Sequence, residues 1–228
     1  MTSLAFEVLD AAAERHAAVP TILLRIKAEE ADGRRVHALA LRCQIRLEPQ
    51  RRRYSDEEQE RLYELFGDTP QWGDSLRPFL WTHVSTTVGG FDGVTEFDLP
   101  VECTYDFEVA GAKYLHALGE GEIPLNLLFS GTVFTRGETG FAAEPVSWSS
   151  EASYRMPVAV WRELVDAHFP GSAWLRCSRD TLDALSQYKA RNALPTWDAT
   201  LTELLAAAGG GEPAAAPDQE GETGVTQR

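Results

Sequence analysis

Cysteine is scarce in this 228-residue chain, and long hydrophobic runs are missing. Cys43, Cys103 and Cys177 form no C-x-x-C spacing, which argues against a disulfide framework or a cysteine zinc site. No apolar run approaches the roughly 18 residues of a membrane span. Acidic residues interrupt the N-terminus where a signal peptide would be apolar. We therefore expect a cytoplasmic protein with no membrane partner.

Basic residues are also in short supply. Against 35 Asp and Glu there are 21 Lys and Arg, which gives a formal net charge of −14. A protein this acidic repels a nucleic-acid backbone, so no nucleic-acid partner is expected. With 43% hydrophobic residues the chain can bury a sizeable core, which excludes disorder of the whole chain.

Sequence motifs of common enzymes are missing as well. The five histidines form neither H-x-x-x-H nor H-E-x-x-H, and no G-x-S-x-G elbow, Walker loop or G-x-G-x-x-G fingerprint occurs. The sequence thus predicts no catalytic residue, no metal and no cofactor. The sequence leaves open whether the fold brings a Ser-His-Asp triad together from distant residues.

Alternation of apolar and polar residues is the strongest pattern that is present. It is clearest over residues 36–48, where five apolar side chains fall on one face, and it predicts a half-buried strand. Further strands are predicted at 4–9, 19–30, 80–88, 95–109, 122–135 and 144–156. We expect the strand at 122–135 to be covered on both faces. In the last strand, Val146, Trp148, Ala152 and Tyr154 should share one side.

Helical periodicity replaces this alternation near Pro157. Helices are predicted from Pro157 to about His168, after Ser178 and after Thr196. An earlier helix at 55–66 carries a capping box, Ser55 with Glu58. Residues 112–118 fit either a helical turn or the start of a strand.

Strands first and helices last indicate an α+β fold. We expect a largely antiparallel β-sheet or sandwich with a C-terminal group of three helices. The predicted domain covers residues 1–208, strand-rich over 1–156 and helical over 157–208. A disordered tail should follow at 209–228, because its Gly, Ala, Pro and Glu residues bury little surface.

The stretch from Trp72 to His83 combines aromatic and basic residues at the entry to a strand. Tryptophan and arginine are common anchors at protein interfaces, so Trp72, Arg77, Trp81 and His83 are candidate contacts for a partner. The alternative is that this loop folds back as a lid over the core.

The run Arg51-Arg52-Arg53 lies between a strand and the helix that begins after Ser55. One interpretation is an anion or phosphate site beside the helix N-terminus. The other is that these arginines pair with the acidic residues at 56–58 and only solvate a loop.

An acidic stripe follows the outward face of the strand at 95–109. It is either a solvated face, a partner surface or a pair of carboxylates at glycosidase spacing. The first interpretation expects cross-strand partners, either Arg25 and Lys27 or Arg42 and Arg46. The stripe consists of Glu96, Asp98, Glu102, Asp106 and Glu108.

Four stretches of the chain resemble one known family. They are the segments 37–54, 72–83, 105–118 and 121–134. They are similar to an uncharacterised domain-of-unknown-function family of high-GC (actinobacterial) bacteria, and the resemblance covers about residues 3–208. Members are often encoded near uptake nickel–iron hydrogenase genes. The resemblance implies an accessory or assembly role and no enzyme activity.

Two functional hypotheses follow. The first is a non-catalytic accessory or interaction protein that binds a protein partner. One role for it would be assembly or coupling of a hydrogenase system. The second is a small-molecule-binding or hydrolytic domain, with a pocket between sheet and helices lined by His83, His116, Arg77 and Tyr114. Charged groups converging in a deep cleft would favour the second hypothesis. A flat apolar patch with an exposed tryptophan would favour the first.

Overall fold

Alternating side chains build two antiparallel sheets in this computed structural model, which describes residues 3–104, 109–137, 140–171 and 176–209. One sheet contains β1 (Leu4–Glu14), β2 (Thr21–Glu30) and β5 (Val94–Glu102), in the order β1-β2-β5. The other contains β3 (Arg35–Leu47), β4 (Phe79–Asp92), β6 (Glu122–Gly137), β7 (Gly140–Pro145) and β8 (Glu151–Pro157). Its order is β4-β3-β6-β7, and β8 also pairs with β6.

The inner faces of the two sheets form the core. Phe6 of β1 stacks on Phe129 of β6, with ring centroids 4.3 Å apart, so the sheets face each other as the layers of a sandwich. The predicted alternation of β3 is confirmed, because its five apolar residues from Leu39 to Leu47 are all buried. The antiparallel α+β fold is therefore correct.

Short helices close one end of the sandwich. They are α1 (Asp56–Phe66), α2 (Trp72–Ser75), α3 (Ala110–Ala117) and α4 (Val158–His168), with 3-10 turns at Pro49–Arg51 and Thr69–Gln71. The capping box of α1 is present, since the Glu58 amide donates to Ser55 Oγ and the Ser55 amide donates to Glu58 Oε2. Of the residues 112–118 that the sequence leaves open, 112–117 belong to helix α3, and Leu118 is its C-cap.

The chain divides into two compact units, Met1–Trp174 and Leu175–Arg228. The first holds both sheets and α1 to α4. The second holds α5 (Arg179–Arg191) and α6 (Trp197–Ala207), capped as predicted by Ser178 and Thr196. The predicted tail falls outside the described residues from 210 onward. In the part of the chain that the structure describes, every helix is too short or too polar to cross a bilayer.

Two expectations for the second sheet are wrong. Trp148 does not share a buried face with Val146, because the chain turns between β7 and β8 and leaves the indole 93% exposed. Nor is β6 covered on both faces, since Ser130 and Phe134 are exposed on its outer side. In both places a local apolar pattern does not reveal where a strand ends or which face is covered.

Candidate functional site

Six arginines surround a cleft of about 1090 Å³ at the helix-covered end of the first unit. Four parts of the chain build it: the loop from β3 together with helix α1, the loop from α3 into β6, strand β8 and helix α4. The arginines are Arg51, Arg52, Arg53, Arg61, Arg155 and Arg162. The topology thus adds three distant arginines to the run that the sequence singles out.

The floor of the cleft is a buried ion pair. Arg52 Nη2 lies 2.7 Å from Oε1 and 2.9 Å from Oε2 of Glu58. Arg52 also donates to the backbone carbonyls of Glu120 and Glu122, at 3.1 and 3.3 Å. Glu58 accepts in turn from the Gly119 amide at 2.7 Å. These bonds tie the start of α1 to the 119–122 loop.

A layer of aromatic residues supports this pair from the core side. The Arg52 guanidinium lies 4.9 Å from the Tyr54 ring centroid. Tyr54 Oη is 2.7 Å from the Pro49 carbonyl and 2.9 Å from Tyr114 Oη. Burial raises the pKa of Tyr114 to about 12 and raises that of Tyr54 as well, so both phenols stay neutral. Their hydroxyl groups therefore act as fixed hydrogen-bonding groups beneath the cleft.

The rim arginines are exposed and loosely held. Arg61 reaches Glu57 at 3.8 Å, and Arg155 reaches Glu122 at 3.6 Å, distances too long for hydrogen bonds. Arg155 Nη2 makes one long hydrogen bond, to the Arg51 carbonyl at 3.4 Å. The guanidinium groups of Arg53 and Arg162 make no hydrogen bond or ion pair with any described residue. Several guanidinium donors on the rim therefore remain available to a ligand.

The charge of the cleft opposes that of the chain. Its six arginines and four glutamates give a formal charge of +2, while the whole chain carries −14. The local electrostatic potential of a positive cleft attracts small anions even when the protein as a whole is acidic. Planar guanidinium groups then bind phosphate or carboxylate through two parallel hydrogen bonds. The arrangement is suited to binding an anion.

The ion-pair interpretation of Arg51-Arg52-Arg53 expects partners at 56–58, and among the described residues Arg52 alone meets it. Arg52 pairs with Glu58, and Arg51 pairs with the buried Glu48 at 2.9 Å. Arg53 is exposed on the rim. The buried Arg52–Glu58 pair and the exposed Arg53 therefore line the same cleft.

The two tryptophans of the 72–83 stretch pack against the core. The Trp72 side chain lies edge-on to Tyr54 and Phe66, and its Nε1 donates to the Gly67 carbonyl at 3.0 Å. Trp72 is only 8% exposed. Trp81 is half-buried against the core, and its Cδ1 would lie 3.0 Å from a Cβ placed on Gly111. These positions favour the lid interpretation for both tryptophans.

The other predicted binding residues lie in different environments. Arg77 is exposed, with Nε donating to the Asp74 carbonyl, and His83 is exposed on β4 opposite Gln44. Tyr114 is fully buried and so cannot line an open pocket. His116 lines a second cavity of about 620 Å³, whose wall includes Arg61 and Arg162.

The acidic stripe lies on the outer face of the β1-β2-β5 sheet. Arg25 Nε lies 2.6 Å from Asp98 Oδ1, and Lys27 is in register with Glu96. Arg42 and Arg46 belong to the other sheet and are not its partners. These pairs favour a solvated face. Asp106 and Glu108 fall outside the described residues.

Sequence reasoning missed Arg61, Arg155, Arg162 and Glu120. Each sits alone in its segment, and no spacing rule connects α1, α4, β8 and the loop after α3. Within the described residues, no group of three or more His, Cys, Asp or Glu is arranged to hold a metal ion.

Comparisons with known proteins describe the chain's relationships. No curated protein gives a significant match. Among solved structures, a late embryogenesis abundant (LEA) protein is 13% identical with a TM-score of 0.30, covering 68% of this chain and 72% of the other. A β-glucosidase from Kluyveromyces marxianus is 6% identical with a TM-score of 0.25, covering 68% of this chain and 15% of the other. Similarity this low carries no argument about function. The model of a family of unknown function (DUF6084) matches residues 1–213, and the chain belongs to this family.

Proposed function

We propose that this protein is a non-catalytic binding protein whose arginine cleft takes an anionic ligand. The observation that carries the proposal is the set of rim arginines around a floor fixed by the buried Arg52–Glu58 pair. Because that floor is already ordered, little conformational entropy is lost when a ligand binds. The converging charges are the feature expected of the small-molecule hypothesis.

Binding without hydrolysis fits the groups that line the cleft. Its one hydroxyl side chain is Ser55, whose Oγ accepts from the Glu58 amide as a helix cap. Among the described residues that line the cleft there is no histidine to activate that hydroxyl group. The carboxylate that contacts Ser55 is that of Glu58, which is held by Arg52, so we propose binding rather than chemistry at this hydroxyl group.

A protein of this kind would act as an accessory to another system. Assembly or coupling of a hydrogenase system is the specific role that the family resemblance suggests, and we retain it as a hypothesis. A protein partner is favoured by one observation, the 93% exposed indole of Trp148. Tryptophan this exposed is common at interfaces. Replacing Trp148 by Ala should then weaken capture of that partner and leave the melting temperature unchanged.

Calorimetric titration of the full chain with pyrophosphate tests the anion site. We expect binding that weakens as salt is raised, because exposed charges are screened. Arg53→Gln and Arg162→Gln should each weaken it about tenfold, which corresponds to roughly 1.4 kcal/mol. Arg35→Gln is the matched control, since Arg35 is an exposed arginine away from the cleft. The proposal fails if pyrophosphate and other small anions do not bind, or if the control weakens binding equally.

A further inference from the structure

The described residues that line the arginine cleft either carry polar side chains or are glycines. Its fourteen residues are arginine, glutamate, glutamine, serine and glycine, with no aromatic or aliphatic side chain among them. A nucleobase requires a stacking surface, and an acyl chain requires apolar walls. The described lining offers neither an aromatic ring nor an apolar side chain, so we expect charged and hydrogen-bonding groups to dominate the ligand.

Carboxylates share the cleft with the guanidinium groups. Glu57 and Glu120 are exposed at its edge, and the Glu120 side chain has no hydrogen-bond partner among the described residues. These carboxylates accept hydrogen bonds and repel anions. A ligand made only of phosphate or carboxylate groups would meet that repulsion, whereas hydroxyl groups on the ligand would donate to them.

The size of the cleft exceeds that of a single inorganic anion. Its volume of about 1090 Å³ lies just above the range of small-molecule sites, which is roughly 300–1,000 Å³. The two arginines without partners, Arg53 and Arg162, come from the loop before α1 and from α4. A ligand with anionic groups at separate positions can reach both.

We propose that the ligand is a phosphorylated polyol, a small molecule that carries phosphate groups on a hydroxylated carbon skeleton. Its phosphates bind the rim arginines, and its hydroxyl groups donate to Glu57 and Glu120. This assignment rests on the proposed function, because it names the class of anion that the same cleft takes. An acidic peptide fits less well, since the net charge of −14 repels an acidic macromolecule.

Three probes separate the possibilities: fructose 1,6-bisphosphate, pyrophosphate and citrate, each titrated calorimetrically into the full chain. We expect the sugar bisphosphate to bind about tenfold more tightly than pyrophosphate, because its hydroxyl groups add hydrogen bonds to charged acceptors. Citrate should also bind more weakly than the sugar bisphosphate, since it has a single hydroxyl group to donate to the glutamates.

Glu120→Gln tests the acceptor role directly. It should weaken binding of the sugar bisphosphate about fivefold, because a charged acceptor is replaced by a neutral one, and it should leave pyrophosphate binding equal or tighter. Glu151→Gln, an exposed glutamate on β8 outside the cleft lining, is the matched control. Equal or tighter binding of pyrophosphate or citrate by the native chain overturns the polyol assignment and leaves the anion site standing. If none of the three binds, the proposed function itself is wrong.

Discussion

Arg52 and Glu58 form an ion pair whose side chains are only 8% and 6% exposed. The same glutamate caps α1 through the Ser55 amide and accepts from the Gly119 amide, so one carboxylate joins three segments. Burying two charges is costly unless the remaining hydrogen-bonding positions are filled. Here the backbone carbonyls of Glu120 and Glu122 fill those of Arg52. The pair therefore organises the cleft floor as well as the start of the helix.

Removing one partner of this pair should destabilise the fold strongly. Arg52→Ala leaves the Glu58 carboxylate buried without its counter-charge, and we expect a loss of about 3–5 kcal/mol in the free energy of unfolding. Urea denaturation measures the loss. Arg53→Ala is the control and should change stability by less than about 0.5 kcal/mol, because Arg53 is exposed. Equal effects of the two substitutions would contradict a structural role for the pair.

The sequence predicts part of this site and not the rest. The capping box is a local signal, since Ser55 and Glu58 lie within one helical turn, and it is confirmed. Glu58 as the partner of Arg52 is also within reach of sequence reasoning, because six residues separate them. Arg155 and Arg162 join the cleft through the β6–β8 pairing and the placement of α4. The spacing of residues in the sequence does not predict that these two arginines lie at the cleft.

The tryptophan in α2 should contribute stability rather than partner affinity. Trp72→Ala removes an indole that contacts Tyr54 and Phe66 in the core, and we expect a cost of about 3–5 kcal/mol. Arg77→Ala, in the same stretch, should change stability by less than about 0.5 kcal/mol because its side chain is exposed. Thermal and chemical denaturation of both variants gives the comparison. A Trp72→Ala variant as stable as the native chain would contradict the lid interpretation for this residue.

The acidic stripe should tolerate neutralisation. Asp98→Asn and Glu102→Gln should each change the free energy of unfolding by less than about 0.5 kcal/mol, because both carboxylates face solvent on the outer side of the sheet. Equilibrium denaturation at low salt, where exposed ion pairs contribute most, is the stringent form of the measurement. A loss of several kcal/mol would mean that these carboxylates act together with groups beyond Arg25.

The sequence also does not predict which strands are neighbours in a sheet. The alternation of β2, β3 and β5 is readable residue by residue, yet it does not state which strands are neighbours. Register places Arg25 opposite Asp98, while Arg42 lies opposite Ser85 and Ser130 in the other sheet. Arg25 and Asp98 are 73 positions apart in the chain. Alternation within each strand does not report contacts over such separations, so the sequence leaves both pairs of basic residues open as partners of the acidic stripe.

The cysteines should differ sharply in reactivity. Burial raises the pKa of Cys43 and that of Cys103 to about 12, so almost none of either thiol is ionised near neutral pH. Cys177 is exposed. Iodoacetamide should therefore label Cys177 in the native chain, and all three residues in denaturant, with mass spectrometry of peptides as the readout. Native labelling of Cys43 at a rate close to that of Cys177 would contradict a closed core.

Protonation of His116 should report on the arginines of the cleft. Its pKa lies below the ordinary value, first because its surroundings partly exclude water, then because Arg61 and Arg162 disfavour another positive charge. A histidine with a lowered pKa in the folded state makes the protein less stable as pH falls below the unfolded value of about 6.5. Arg162→Gln removes one positive charge and should raise the pKa of His116.

Proton NMR titration of the imidazole follows this change, with His116→Gln identifying the resonance. An anion bound at the cleft should move the pKa of His116 in the same direction as Arg162→Gln, because it neutralises the charge of Arg61 and Arg162. Arg61→Gln removes the other positive charge and should raise the pKa of His116 as well. If Arg162→Gln leaves the pKa unchanged or lowers it, the electrostatic link between His116 and the arginine cleft is wrong.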